Sequence, residues 1–268
     1  MKKIKKFAAG LLVLSTALMA AFVVFDRMSR DTEAPVISCP ETVLEASVSV
    51  TEQELLEGVT AGDDRDSNVT VVVEKLSPMT KEHTRTATYA AADGAGNVSR
   101  AARTIHYTDY QPPRFHMDRA ARSPGNEGIY ALLPGIHASD VTGKDLTARI
   151  RFDTLDNRMA HDPGDHLLEL RVTDSFGYSE VLELPVEVFD PTGERMSVEL
   201  KNYFIYLSVG ASFDPQAYFV MPEETPGTLS VESEVDTSVP GSYAVDYTFT
   251  GEAENTVGRS RLIVIVEE

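Results

Sequence analysis

The chain has 268 residues, a formal net charge of −18 and a single cysteine. A surface this acidic repels nucleic acid phosphates and anionic lipid, which leaves cations, basic proteins and neutral glycans as partners. One cysteine excludes an internal disulfide, so the folded part must hold together by packing alone.

Residues 1–30 carry six Lys or Arg against one Asp, a net of +5 that leaves −23 for the rest. Residues 7–25 form an uncharged run of nineteen between Lys2, Lys3, Lys5, Lys6 and Asp26. As a helix rising about 1.5 Å per residue, this run covers a hydrocarbon core of roughly 30 Å. The lysines prefer the cytoplasmic side, so everything after Asp26 is expected outside the cell. A cleaved signal peptide would need small residues before its cut, yet Leu18 stands two places before Ala20 and Met19 two before Ala21. The expectation is an uncleaved signal-anchor with a single pass. Cys39 lies too far beyond the apolar run to carry a lipid and reads as a small apolar residue on a first strand.

One helical candidate follows, Glu52 to Leu56, where Thr51 can cap and Glu54 can answer it. The rest is strand chemistry. Val69–Val73 is β-branched nearly throughout, His166–Thr173 alternates in its second half, and Tyr243, Val245, Tyr247 and Phe249 share one face. Turn residues separate the runs at Asp93-Gly94, Pro163-Gly164, Pro226-Gly227 and Pro240-Gly241. Tyr203, Phe204, Ile205 and Tyr206 alternate between two faces and read as core. The last run, Leu262–Val266, is too short to cross a bilayer and reads as a closing buried strand. Short strands with such punctuation predict an all-β, antiparallel sandwich architecture.

Segments of the chain repeat. Asp31-Thr32-Glu33-Ala34-Pro35 matches Asp109-Tyr110-Gln111-Pro112-Pro113, and Asp190-Pro191-Thr192-Gly193 is a degraded third copy. Gly58-Val59-Thr60-Ala61-Gly62-Asp63 matches Gly135-Ile136-His137-Ala138-Ser139-Asp140, and Asp93-Gly94-Ala95-Gly96-Asn97 matches Asp174-Ser175-Phe176-Gly177-Tyr178. Pro163-Gly164-Asp165-His166 returns as Pro240-Gly241-Ser242-Tyr243, while Glu82-His83 replaces Pro-Gly in the first unit. A period of roughly 80 suits small self-contained domains in a row. The boundaries expected are 1–30 for tail and anchor, then 31–109, 110–191 and a divergent 192–268.

In their order and repetition these motifs resemble the bacterial immunoglobulin-like domains, related to the hyalin-repeat type, found in tandem on surface proteins of Gram-positive bacteria. The resemblance covers nearly all of residues 31–268. It implies three tandem immunoglobulin-like β-sandwich domains after the transmembrane helix, and a cell-surface setting, but no activity.

The densest polar cluster is Asp63, Asp64 and Asp66 with Asp93 and Asn97 on a later turn. If both loops lie at one end of a sandwich they offer a Ca²⁺ ion the six or more oxygens it requires, with Asp140, Asp145 and Asp174 as equivalents in the second unit. The competing reading is that these are turn formers, with Asp93 and Asp174 accepting backbone amides to pin hairpins. His161-Asp162-Pro163-Gly164-Asp165-His166 offers two histidines but reads as a turn. No Gly-x-Ser-x-Gly, His-Glu-x-x-His or phosphate-cradling loop occurs, so no enzyme and no cofactor is expected. The expected function is a non-enzymatic adhesion or spacer stalk at the cell membrane, stiff because prolines crowd its linkers, with a protein or glycan ligand and no nucleic acid. The alternatives are a structural subunit of an envelope complex binding another membrane protein, and a glycan-binding accessory to a cell-wall enzyme.

Overall fold

The N-terminal run holds no proline and a single glycine, Gly10, among many Ala and Leu, so it coils without interruption into α1, Lys2–Ser29. In this computed structural model residues 2–155, 161–194, 196, 198–221, 226–252 and 256–268 are described, without the side chains of 2–9, 29 and 193. Within α1, Gly10–Met28 is long and apolar enough to cross a membrane, and none of it is buried against protein. A helix that is apolar all round and uncovered by protein has the character of an anchor or a signal segment.

The chain divides into two compact units, Met1–Asp109 and Tyr110–Glu268. In the first, β1 (Val36–Ser38) pairs with β3 (Thr60–Gly62). The strands β2 (Val43–Ala46), β4 (Thr70–Leu76), β5 (Thr84–Ala92) and β6 (Val98–Tyr107) form a four-stranded sheet in the order β2-β6-β5-β4. Alternation turns Ala87, Tyr89 and Ala91 of β5 inward beside Arg103, Ile105 and Tyr107 of β6, all buried. The short helix α2 (Glu52–Leu55) carries the expected capping box: Thr51 Oγ1 accepts from the Glu54 amide at 3.3 Å, and Glu54 Oε2 accepts from the Thr51 amide at 2.8 Å. At the end of α2, buried Arg103 donates to the carbonyls of Leu55 (2.6 Å) and Glu57 (3.3 Å), and the Tyr89 hydroxyl also donates to Leu55 O at 2.7 Å. A cation placed there satisfies carbonyls that the helix leaves open.

In the second unit β7 (Arg114–Met117) pairs with β9 (Ile136–Ser139). The sheet β10-β11-β12-β8 joins β8 (Arg122–Pro124), β10 (Arg151–Thr154), β11 (Gly164–Thr173) and β12 (Ser179–Phe189). A third four-stranded sheet, β13-β16-β15-β14, joins β13 (Phe204–Ser208), β14 (Gly227–Ser233), β15 (Gly241–Gly251) and β16 (Val257–Glu267). Its companion two-stranded sheet has shrunk to the single bridge Leu200–Phe219. The same plan thus appears three times, in line with the sequence repeat. The antiparallel expectation needs one correction: the first strand of each four-stranded sheet runs parallel to the last, β2 with β6, β8 with β12 and β13 with β16. Side-chain alternation is the same for both pairings and carries no strand direction, so the pattern could not reveal it.

The third sheet is covered on both faces. Val245, Tyr247, Phe249, Leu262, Val264 and Val266 form one core with Val198, Leu200 and Phe219. On the opposite face Phe204, Ile263 and Ile265 join the core of the second sheet, among Phe115, Leu168, Leu184 and Val186. This explains why β16 reads as a continuous apolar run and not as alternation. Polar ties cross the same junction: the Phe115 amide donates to Tyr206 Oη at 2.8 Å, and Arg261 bonds Asp246 at 2.7 Å and Asp165 at 2.8 Å. Arg114 pairs with Glu267 at 2.6 Å and lies 4.2 Å from the centre of the Tyr206 ring. Burial raises the Tyr206 hydroxyl to about 12. Tyr203 to Tyr206 are therefore core, with Ile205 on one face and Phe204 and Tyr206 on the other. Cys39 sits one residue beyond β1, half-buried, with Sγ 3.4 Å from Glu41 O.

Candidate functional site

The acidic loops of the first unit do meet at one end of its sheet. Asp63 Oδ1 accepts from the amides of Arg65 and Asp66, both at 3.0 Å, which closes the loop on itself. Asp66 Oδ2 reaches across to accept from the Gly94 amide. Asp93 Oδ1 accepts from the Asn97 amide at 2.8 Å, and its Oδ2 from the Asn97 side chain at 2.7 Å. Desolvation opposes the Asp93 charge, but bonds from Asn97 and the amides of Gly96 and Ala95 outweigh it and hold the carboxyl below the usual range. Asn97 also donates to the Asp31 carbonyl at 3.3 Å, tying this hairpin to the chain as it leaves α1.

Asp31, which the sequence marked only as the opening residue of the repeat, joins this group. Asp31, Asp63 and Asp64 present oxygens within 4.8 Å of one another. The Arg65 guanidinium lies 4.0 Å from Asp31 and from Asp64, so the chain supplies a positive charge at this cluster itself. Asp31 stands two residues after Ser29, the last residue of α1, which puts these loops at the helix exit.

In the second unit the equivalent carboxylates are more deeply committed. Asp140, 5 % exposed, accepts at Oδ1 from the Thr142 amide and hydroxyl and the Lys144 amide, and at Oδ2 from the Ser175 hydroxyl at 2.9 Å. Desolvation again opposes the charge, and these donors outweigh it, so the carboxyl is held low. Asp174, 4 % exposed, takes the amides of Phe176 and Tyr178 at 2.8 Å each and the Tyr110 hydroxyl at 2.6 Å. Tyr110 is itself buried, with the Phe176 and Tyr178 rings edge-on at 5.6 and 6.1 Å. Burial and the Asp174 carboxylate push its hydroxyl well above the ordinary tyrosine value. Tyr178, which replaces the motif's asparagine, thus packs against Tyr110 where Asn97 bonds to Asp31. Both solutions fasten the last hairpin to the segment that opens the unit.

The reading of Asp93 and Asp174 as hairpin pins is therefore the arrangement observed. Both turns also place a glycine, Gly96 or Gly177, at positive φ, 91° and 81°. Asp145 stands apart from Asp140 and Asp174. Its Oδ1 accepts from the Thr147 amide, and bonds from Thr147 hold its carboxyl low, helped by the nearby charges of His137 and His116. His166 Nε2 lies 2.7 Å from Asp162 O within the turn, whereas His161 Nδ1 lies 2.9 Å from Gly125 O just beyond β8, so the two rings serve separate carbonyls.

No protein-family model matches the chain, and no curated protein is significantly similar to it. Among solved structures it is similar to Drosophila N-cadherin EC1-3, at 12% identity over 85% of this chain and 98% of that one, with a TM-score of 0.27. Human CDH23 EC21-23 follows at 13% identity over 87% and 100%, TM-score 0.24, and mouse cadherin-23 EC22-24 at 12% over 88% and 99%, TM-score 0.22. Likeness at this level assigns neither ligand nor activity to this chain.

Proposed function

We propose that this chain is a non-enzymatic, membrane-anchored cell-surface protein, whose tandem immunoglobulin-like modules form an adhesion or spacer stalk of the kind borne by Gram-positive bacteria. The observation that carries the reading is the junction at Asp31: two residues beyond an uncovered apolar helix of membrane-spanning length, the chain is already tied to the β module by Asn97. With α1 in a bilayer, the acidic loops Asp63–Asp66 and Asp93–Asn97 face the membrane surface, and anionic headgroups repel them. That face is poorly suited to contact the lipid itself. The carboxylates of both units serve as acceptors for their own turns, which supports a structural and not a catalytic use.

The test is protease treatment of intact cells expressing the full chain. The reading expects the β modules to be lost to external protease while a short membrane fragment survives, and full protection would overturn it. A second reading, a subunit of an envelope assembly, is favoured by the open edge of β13. Tyr203 O and Val209 N bond to β16, so the alternate residues Phe204, Tyr206 and Ser208 turn their peptide groups away from it. They border a groove of about 580 Å³ with Arg114, His116 and Glu267. A strand from another membrane protein can add to such an edge. Stoichiometric co-purification in detergent, abolished by Ser208→Pro at the edge, would favour this reading over the stalk.

A further inference from the structure

The small sheet of β7 and β9 places two histidines directly opposite each other, His116 and His137. Their rings stack with centroids 4.9 Å apart and planes 23° from parallel. Two residues on from His116, Asp118 has its Oδ2 3.4 Å from His137 Nε2. Asp145, whose neighbour Lys144 bonds back to Asp140, approaches from the following turn, bridged to Ser139. None of these four side chains belongs to the core: His116, Asp118 and Asp145 are exposed and His137 is half-buried.

We propose that His116, His137 and Asp118 bind a divalent transition-metal ion of the zinc type, with Asp145 as a further oxygen donor. Two imidazoles with carboxylates are the donor set that zinc, nickel and copper prefer, whereas calcium requires oxygen alone. This site therefore differs in chemistry from the acidic loops. His116 and Asp118, two residues apart at the end of β7, share a face of this small sheet with His137 opposite, and binding requires these side chains to swing together around the ion. The opposing charge is Arg119, whose Nε lies 3.2 Å from Asp118 Oδ1 and must release it. Glu267, which borders the same groove as His116, is held by Arg114.

Zinc titration of the untagged full-length chain in detergent, followed by calorimetry, tests this. One zinc per chain is expected, with His116→Asn or His137→Asn weakening it by more than the roughly 10- to 100-fold that loss of a mere supporting partner costs. Asp63→Asn should leave zinc binding unchanged, since it alters only the acidic loops. No zinc uptake, or uptake that survives the double histidine variant, would overturn the proposal. Should a variant fail to fold, histidine modification by diethyl pyrocarbonate on the unaltered chain decides. Zinc is expected to protect His116 and His137 but not exposed His161, and equal labelling with and without zinc would overturn it.

Discussion

Replacing Asp174 with alanine removes the acceptor for three donors in a site that is 4 % exposed: the amides of Phe176 and Tyr178 and the hydroxyl of Tyr110. A hydrogen bond to a charged group contributes about 1.5–3 kcal/mol, so three at the low end amount to roughly 4–5 kcal/mol. For a unit of this size that is a fall of roughly 10–15 °C in the unfolding midpoint. Tyr110→Phe removes one donor and keeps the ring between Phe176 and Tyr178, so its cost is about 1–2 kcal/mol. Asp174→Asn keeps an oxygen for the two amides, and the Tyr110 hydroxyl can turn to accept, which places it near Tyr110→Phe. Thermal unfolding of the full-length chain in detergent, read by near-ultraviolet circular dichroism of the tyrosines, orders the three. If Asp174→Ala costs less than about 1 kcal/mol, or Tyr110→Phe costs as much as Asp174→Ala, the carboxylate is not what holds the hairpin and the reasoning is refuted.

His83 occupies the left-handed region, φ 56°, where the second unit has Gly164 at positive φ. Because that region costs an L-residue about 1–2 kcal/mol and glycine returns part of it as chain entropy, His83→Gly should stabilise by roughly 0.5–1 kcal/mol in urea unfolding. Arg103→Ala strands the Glu57 carbonyl, leaves Leu55 O to the Tyr89 hydroxyl alone and should cost about 2–4 kcal/mol, with Arg103→Lys recovering only part, by the same measurement. Asp140, Asp93 and Asp109 all have carboxyls held below their ordinary values, so the unfolded chain takes up protons first. Their contribution is complete above the unfolded value of about 4 and is lost as pH falls toward the folded one, so the urea midpoint should drop between neutral pH and about pH 3. Added calcium should leave the unfolding midpoint unchanged, because Arg65 and backbone amides already serve the loop carboxylates; a rise would assign the ion to Asp31, Asp63 and Asp64.

Much was legible before any coordinates. The apolar N-terminal helix, the capping box at Thr51 and Glu54, the strands and their repeat follow from local rules, because helix propensity, alternation and turn chemistry act within a few residues. The repeat also foretold that Asp93 and Asp174 would do the same work, since a turn closed by its own amides is a local object. Asp31 and Tyr110 were not legible as partners of those turns. Each lies more than sixty residues from the hairpin it fastens, and only folding brings them together. The pairing of His116 with His137 is likewise a fact of register, which no spacing along the chain encodes.

The amino-acid order by itself determined an apolar helix, a β architecture and three copies of one strand plan, because each depends on interactions between near neighbours. Tertiary structure alone decided strand direction, with β2, β8 and β13 parallel to the strands that close their sheets. It also decided that the third sheet is buried on both faces, one against Val198, Leu200 and Phe219 of its own segment and the other against residues 110–191. Both outcomes depend on which distant apolar faces find each other, and hydrophobic burial is non-directional: it rewards removal of Ile263 and Ile265 from water without naming in the sequence the surface that removes them.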